Sequence, residues 1–572
     1  MKLKNLAFIF LIVFYSCDTE ENDFEELINE DSIPFITAIS NLENKNGIII
    51  TENTVVFTED LTIPEGVILN FNVRDRMIIN SGITVTINGI ISAGKFKIFE
   101  IANGGKVNGC PQIEYIIPQW WGTDDTGLGH ASDNFQMAIE SFDCIKKFVS
   151  SGKFLLDKEI LLNIDERNYD FTGSHFLGTE EGTLFGAGGL VTIGDRNFDI
   201  DENYSVENVT VHGGTYQPKN NHDNSLAILN AKNIKISDVT IIGEEGLRGI
   251  ALQTPGSHLV NNPIIENIII ENVFQEGGVN VFNIDLNNGL VKNVIVKNII
   301  GTSIDEDNPQ LDEDGNVRGK EAAFRCSSQG DVLRIKNVTI SDVILENVHI
   351  GFELRGMKAD ISNVQMNHVS YRGIVTQYAD IINLNDITII GKSNITEGIV
   401  TLGSPTVLTN SINLNGLTLK GKFKNGITNQ VEGINGNNIF IDAEVNTGIH
   451  NISSNVRFNN TLIKNSSNLY YHSAIYNHNS AINSQYRGTI EGNFDHGFIN
   501  AAKSCVVDFQ MNGSFKNGAI FTFYNDTGYS SLYKGFINFT DSDSKHINQY
   551  RADDIYELYV YNLLTSDYDF NP

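Results

Sequence analysis

The sequence predicts an all-β chain wound as a right-handed single-stranded parallel β-helix, with a small N-terminal β element and a short capping helix. Three observations predict it. Short alternating strands opening on Asn-Val or Asn-Ile recur with no helical spacing between them, as in NVTVHGGTY (208–216), NIKISDVTIIG (233–243), NIIIENVFQEGG (267–278) and NVIVKNIIG (293–301). A small residue followed by a large apolar one opens a strand at 249, 278, 323, 351, 373, 398, 426, 448, 474, 497 and 519, at spacings of 22 to 29 residues with one of 45. Three places after that small residue, Asn stands in four successive repeats. Parallel strands need a long return path, and without helices the chain itself must coil to supply it.

With the small residue as position zero, strand alternation turns positions one and three inward. Position one is then Ile250, Val279, Phe324, Phe352, Ile374, Ile399, Ile427, Ile449, Ile475, Phe498 and Ile520, all large and apolar. Position three is Leu252, Val281, Cys326, Leu354, Thr376, Thr401, Asn429, Asn451, Asn477, Asn500 and Thr522. Four consecutive Asn flanked by Thr read as an internal amide ladder, each side chain bonded to that of the next coil. The same register makes Cys326 a core thiol rather than a nucleophile.

From the N-terminus, Lys2 and Lys4 precede an apolar run, Leu6 to Phe14, too short to span a membrane and shaped as a signal peptide (1–16). Ser16-Cys17 follows, and a Cys at the cleavage point resembles a bacterial lipoprotein signal, with Cys17 as the lipidated residue. The acidic stretch after it makes 17–49 a solvated tether. It resembles the surface-export signal of Bacteroidota lipoproteins, which implies a lipid-anchored protein on the outside of the cell outer membrane. Residues 50–117 form the N-terminal β element, with TVTINGIISAGKFKIFE (84–100) in clean alternation. Residues 118–145 are a junction: Trp120 and Trp121 pack it, Asp124-Asp125 turn the chain, and Asp133 with Gln136 form a capping box ahead of Phe135, Ala138, Ile139 and Phe142. That helix is expected to plug the first coil, whose edges need cover. The β-helix proper runs over 146–545, and 546–572 closes it.

The order TINGxxxAGxxxIF, PxWWG, TDDT, short helix and Asn-rich coils resembles pectate-lyase-superfamily β-helix proteins over most of 50–540. The resemblance implies the fold and a polysaccharide partner, cleaved by β-elimination or hydrolysis, or bound by a non-catalytic scaffold. Leu333-Arg334-Ile335-Lys336 holds the RIK triplet of polygalacturonases without their other motifs, and GIALQT before EGGVNV is similar to iota-carrageenases. In the latter register only Asp285 stands near the expected carboxylate pair.

The formal charge of −30 argues against nucleic acid as a partner. An acidic glycan therefore needs a local basic patch. The chain is expected to act as a monomer. Outward positions of the middle coils supply the patch. Arg325, Glu353 and Arg355 stack on neighbouring coils with Asn280, Gln253 and Gln377 beside them, and the flanking positions add Arg248, Arg372, Glu276, Glu321, His349 and Tyr371. Elimination from a uronate needs a cation on the carboxylate, a base and an acid. Arg325 and Arg355 fit the first role, His349 the second and Tyr371 the third, with Arg248, Gln253, Asn280, Arg372 and Gln377 binding substrate. Hydrolysis needs two facing carboxylates, from Glu276, Glu321 and Glu353. The same residues also read as ordinary cross-strand ion pairs. In the insertion 302–321, QLDEDGNVRGKE spaces Asp312, Asp314 and Glu321 as in a Ca²⁺-binding EF-hand loop, and equally as a solvated hairpin turn at Asp314-Gly315-Asn316.

Overall fold

The computed structural model describes residues 25–27, 37–39, 42, 47–51 and 54–571, apart from 181–187, 195–204, 220–223, 244–246, 255–262, 287, 305–321, 329–331, 404–410, 466, 468, 470, 523–530, 541–546, 549–553 and 563–566. The chain divides into two compact units, Met1–Glu114 and Tyr115–Pro572. No described helix is long and apolar enough to cross a membrane.

The first unit is itself coiled. Its strands Gly47–Thr51, Thr54–Phe57 and Leu61–Ile63 return as Val67–Phe71, Arg76–Ile79 and Thr84–Ile87, and again as Ile90–Ser92, Phe99–Ile101 and Lys106–Asn108. Each strand pairs in parallel with its counterpart one turn on, which makes three small sheets. Alternation in the sequence becomes alternation in burial. Val67, Leu69, Met77, Ile79, Val85 and Ile87 are all fully buried.

The second unit opens with the predicted plug. The helix Ser132–Glu140 buries Phe135 among Phe148, Phe154, Phe171 and Phe176, with ring centroids 5.1 to 6.2 Å away. The expected capping box does not form: Ala131 is the N-cap, and no side chain caps the helix N-terminus. Asp133 instead pairs with Lys158 at 2.7 Å. Gln136 acts as a strand partner, its Oε1 accepting the Leu161 N–H at 2.8 Å and its Nε2 donating to the Leu161 carbonyl at 3.2 Å. This satisfies an edge that would otherwise be open. The buried Arg167 guanidinium donates to the carbonyls of Ile139, Phe142 and Ile145, at and beyond the helix C-terminus. Trp120 and Trp121 are buried, the latter edge-on to Phe142 at 5.9 Å. The Asp124 side chain accepts from Thr126 and Gly129, which makes it the turn residue expected.

From there the chain winds as a parallel β-helix, strand upon strand through one continuous sheet system. The handedness rule for parallel connections gives the right-handed coil. Long strands bend without breaking at left-handed Asn residues such as Asn267, Asn272, Asn293 and Asn298, with φ of 56° to 58°. Asn tolerates that conformation because its short side chain bonds locally. Here it bonds the next coil: Asn208, Asn233, Asn267, Asn293 and Asn337 form an external amide ladder with steps of 2.8 to 3.1 Å. The sequence shows these Asn as strand starts, whereas they are corners.

The internal ladder forms as the register requires. Thr401 Oγ1 donates to Asn429 Oδ1 at 2.6 Å, and the amides of Asn429, Asn451, Asn477 and Asn500 follow one another at 2.8, 3.0 and 2.9 Å. Tyr486 donates its hydroxyl to Asn477 Oδ1 at 2.7 Å, and Asn500 Nδ2 donates to the Tyr533 hydroxyl at 2.6 Å. Earlier coils carry apolar rows inside, with Phe324 tilted against Phe282 at 6.1 Å and stacked on Phe352 at 4.7 Å. The small residue at position zero sits at a tight corner: a Cβ on Gly398 would lie 2.4 Å from the Gly426 carbonyl and 2.9 Å from Leu419.

Candidate functional site

The short strands Arg248–Gln253, Asn280–Leu286, Ala322–Ser328, Ile350–Arg355, Arg372–Gln377 and Glu397–Leu402 stack in parallel. Between their inward residues they present one outward row of Ala251, Asn283, Arg325, Glu353, Val375 and Val400. A second row carries Gln253, Asp285, Ser327, Arg355, Gln377 and Leu402.

One coil departs from the predicted register. Gly277 and Gly278 both take left-handed φ, 75° and 82°, and lengthen the turn. The strand therefore starts at Asn280, and Phe282 and Ile284 pair with Ile250 and Leu252 in place of Val279 and Val281. Asn280 is consequently not on the outward rows. It is fully buried and donates to the Ala322 carbonyl at 2.6 Å. Gln253 faces outward but is 8 % exposed, and Gly189–Ile193 and Asn224–Leu229 are buried at every position. Alternation shows which way a residue points, not whether water reaches it.

The corrected register assembles a chain of charge. Arg325 Nη1 lies 3.7 Å from Asp285, Arg325 Nε lies 3.9 Å from Glu353, and Arg355 Nη2 meets Glu353 at 2.7 Å. Two guanidinium and two carboxylate groups sum to no net charge, so the patch is polar rather than basic. Asn283, the register neighbour of Arg325, is fully buried, and neither its Oδ1 nor its Nδ2 has a hydrogen-bond partner. Beneath the charges, burial first and the Glu353 carboxylate second push the Cys326 thiol up to about 12. It is an inert core residue, as its register requires.

A second group forms on the approach to the next strands. His349 and Tyr371 stack ring on ring at 5.1 Å with 11° between planes, and His349 Nδ1 shares a hydrogen bond with Ser370 Oγ at 2.8 Å. Arg372 lies 4.5 Å above the Tyr371 ring and is held by Glu397 at 3.1 Å. Ala322, Ile350 and Val375 pack against Tyr371 and Leu402 beside it. His349 stands at the bend between the strands Ile335–Val348 and Ile350–Arg355, whereas Glu353 lies within the second of them. The candidates thus fall into two groups: Arg325, Glu353 and Arg355 in one, His349, Tyr371 and Arg372 in the other.

Glu276 joins neither group through a described contact. It is exposed at the end of Ile264–Glu276, aligned with Thr302. Arg248 is half-buried at the start of its strand. Gln377 aligns with Arg355, and its Oε1 is buried without a partner. Asp312, Asp314 and Glu321, and Cys17, lie outside the described residues. Among the described residues no group of three His, Cys, Asp or Glu side chains is arranged to hold a metal. Sequence reasoning missed Asp285 as an ion-pair partner, together with Asn283 and Glu397. The Gly-Gly pair was the available signal for the first two, since two left-handed glycines move a strand start.

The architecture defines the class: a parallel β-helix protein, as the pectate-lyase-superfamily resemblance implied at the level of fold. No family model matches the chain, and no curated protein does. Solved structures similar to it include PfbA, a surface adhesin of Streptococcus pneumoniae, with 12% identity over 80% of this chain and 94% of that one and a TM-score of 0.36. The Yersinia enterocolitica family 28 exopolygalacturonase has 9% identity over 76% and 78%, with a TM-score of 0.30. The tailspike protein gp49 of Pseudomonas phage LKA1 has 9% identity over 73% and 83%, with a TM-score of 0.31.

Proposed function

We propose that the protein binds a uronate-containing polysaccharide across the outward rows of the middle coils and cleaves it by β-elimination. The observation that carries the reading is the His349–Tyr371–Arg372 stack, which puts a base, an acid and a cation side by side. Arg372, steadied by Glu397, pairs with the uronate carboxylate, and neutralising that charge acidifies the C5 proton. His349, oriented through Ser370, takes the proton from C5. The C5 electrons form the C4–C5 double bond as the bond from C4 to the leaving oxygen breaks, and Tyr371 protonates that oxygen. Arg325 and Arg355 then bind flanking sugar units rather than the reacting one. This differs from the role that spacing alone gave them.

One observation favours hydrolysis as a second reading. Asp285 and Glu353 both reach Arg325, and two carboxylates flanking one point are the requirement of a glycoside hydrolase. Export and a lipid anchor at Cys17 complete the proposal and rest on the N-terminal sequence; radiolabelled palmitate incorporated into the native chain but not into Cys17→Ser is the test.

Polygalacturonate, alginate and chondroitin, each with Ca²⁺ and with chelator, form the substrate panel. Ultraviolet absorbance of an unsaturated product is expected on one of them, reduced about 10²- to 10³-fold in Tyr371→Phe. New reducing ends without that absorbance, lost in Glu353→Gln and Asp285→Asn, would replace elimination by hydrolysis.

A further inference from the structure

Beyond the proposed cleavage site, the same strand stack carries a second ring-lined surface. In the coils that follow, the outward residues just before the ladder amides Asn451 and Asn477 are His450 and Tyr476. Tyr476 lies 5.1 Å from His450, 6.2 Å from His472 and 6.5 Å from His478, measured between ring centroids. His472 continues to His496 at 6.0 Å, and His496 to Phe521 at 4.8 Å. The rings thus run without interruption over four coils, about 14 Å along the stack at the inter-strand spacing. Among the described ring contacts none joins this strip to the His349 stack, and Glu397, which holds Arg372, is the charged group that both share.

We infer that this strip is a non-cleaving glycan-binding site that takes the flat faces of neutral pyranose rings. A pyranose offers an apolar C–H face rimmed by hydroxyl groups. Tyr476 and Phe521 supply apolar ring faces. A neutral imidazole supplies a ring face with one donor and one acceptor at its edge. Burial first, and the neighbouring His478 and His472 next, hold His450 below the usual histidine range, with Glu397 opposing and Lys424 assisting. Burial and His472 do the same for His496, with Asp495 opposing. Glu397 is already held by Arg372, and Lys424 and Asp495 add one charge of each sign, so an anionic sugar gains little there.

Two further observations point to a ligand. His496 Nδ1 is buried without a hydrogen-bond partner, a cost that a sugar hydroxyl would remove. The strip is also held from behind, because Asn451 and Asn477, next in sequence to His450 and Tyr476, are rungs of the amide ladder. A surface fixed before binding loses less entropy on binding.

Titration calorimetry of the purified chain with cellohexaose, xylohexaose and mannohexaose tests this. Binding of at least one is expected, weakened about tenfold in Tyr476→Ala and kept within about twofold in Tyr476→Phe. Tyr371→Phe, which disables the proposed elimination and leaves the Arg372–Glu397 pair in place, should bind unchanged, so failure of one reading leaves the other standing. If Tyr476→Ala does not fold, His472→Ala removes an exposed ring of the same strip and should weaken binding. Absence of binding to all three sugars, or binding unchanged in Phe521→Ala together with Tyr476→Ala or His472→Ala, would overturn the inference.

Discussion

The coils before Arg372 and those after Glu397 are built with opposite polarity. In the earlier set, position three is Leu252, Ile284, Cys326 and Leu354 inside, and charge stands outside. In the later set, amides run through the interior and rings cover the outside. One backbone repeat accommodates both because it demands only that each inward residue suit the residues directly above and below it. An apolar residue needs a neighbour it can pack against, and an amide needs a hydrogen-bonding one, which is another amide or the hydroxyl of Thr401, Tyr486 or Tyr533. The local pair decides, not the mean hydropathy of the core.

Exchanging residues between the two regions tests that conclusion hardest. Ile284→Asn would bury an amide between Leu252 and Cys326, with no partner in either coil. The expected loss is about 4 kcal/mol, from lost packing and an unpaired polar group together. The reverse exchange, Asn451→Leu, removes the acceptor of Asn429 and the donor to Asn477 and Tyr486. About 3 kcal/mol is expected. Urea denaturation midpoints measure both. Equal tolerance of the two substitutions would show that neighbours do not decide.

Acid sharpens the comparison from outside. His450 and His496 titrate below the ordinary histidine value of 6.5 in the folded chain. Between that value and their folded values the unfolded chain holds more protons, so stability is complete above pH 6.5 and falls as the pH drops below it. Thermal midpoints of the native chain should decline more on acidification than those of His450→Gln combined with His496→Gln. The smallest effect belongs to the surface pair at the boundary. Arg372→Ala should cost below about 1 kcal/mol while abolishing the proposed elimination.

The coil, its period, the plugging helix and the amide ladder were all legible in the sequence, because each depends on contacts repeated at a fixed spacing. The charge chain was only half legible. Arg325, Glu353 and Arg355 stand in strands whose starts are marked by small residues, but Asp285 follows the Gly277-Gly278 turn, where that mark moves. Burial of Gln253 and Asn283 was not legible, since alternation carries no information about what lies over an outward face. Of the ring strip, alternation from the small residue places His450, Tyr476 and Phe521 outward, whereas His472 and His496 stand ahead of that residue, where alternation within the strand does not assign a face. The separate grouping of His349 and Glu353 was not legible, since His349 stands at the bend before Ile350–Arg355 and Glu353 within that strand.

The amide ladder also has a consequence for growth. Each rung offers one donor to the coil on one side and one acceptor to the coil on the other. A duplicated coil from this stretch would therefore find its interior bonds already specified, and both its neighbours would keep theirs. Such a segment is copied without redesign, so lengthening by tandem duplication should be easier here than among the apolar coils, where ring sizes must be matched anew at each step.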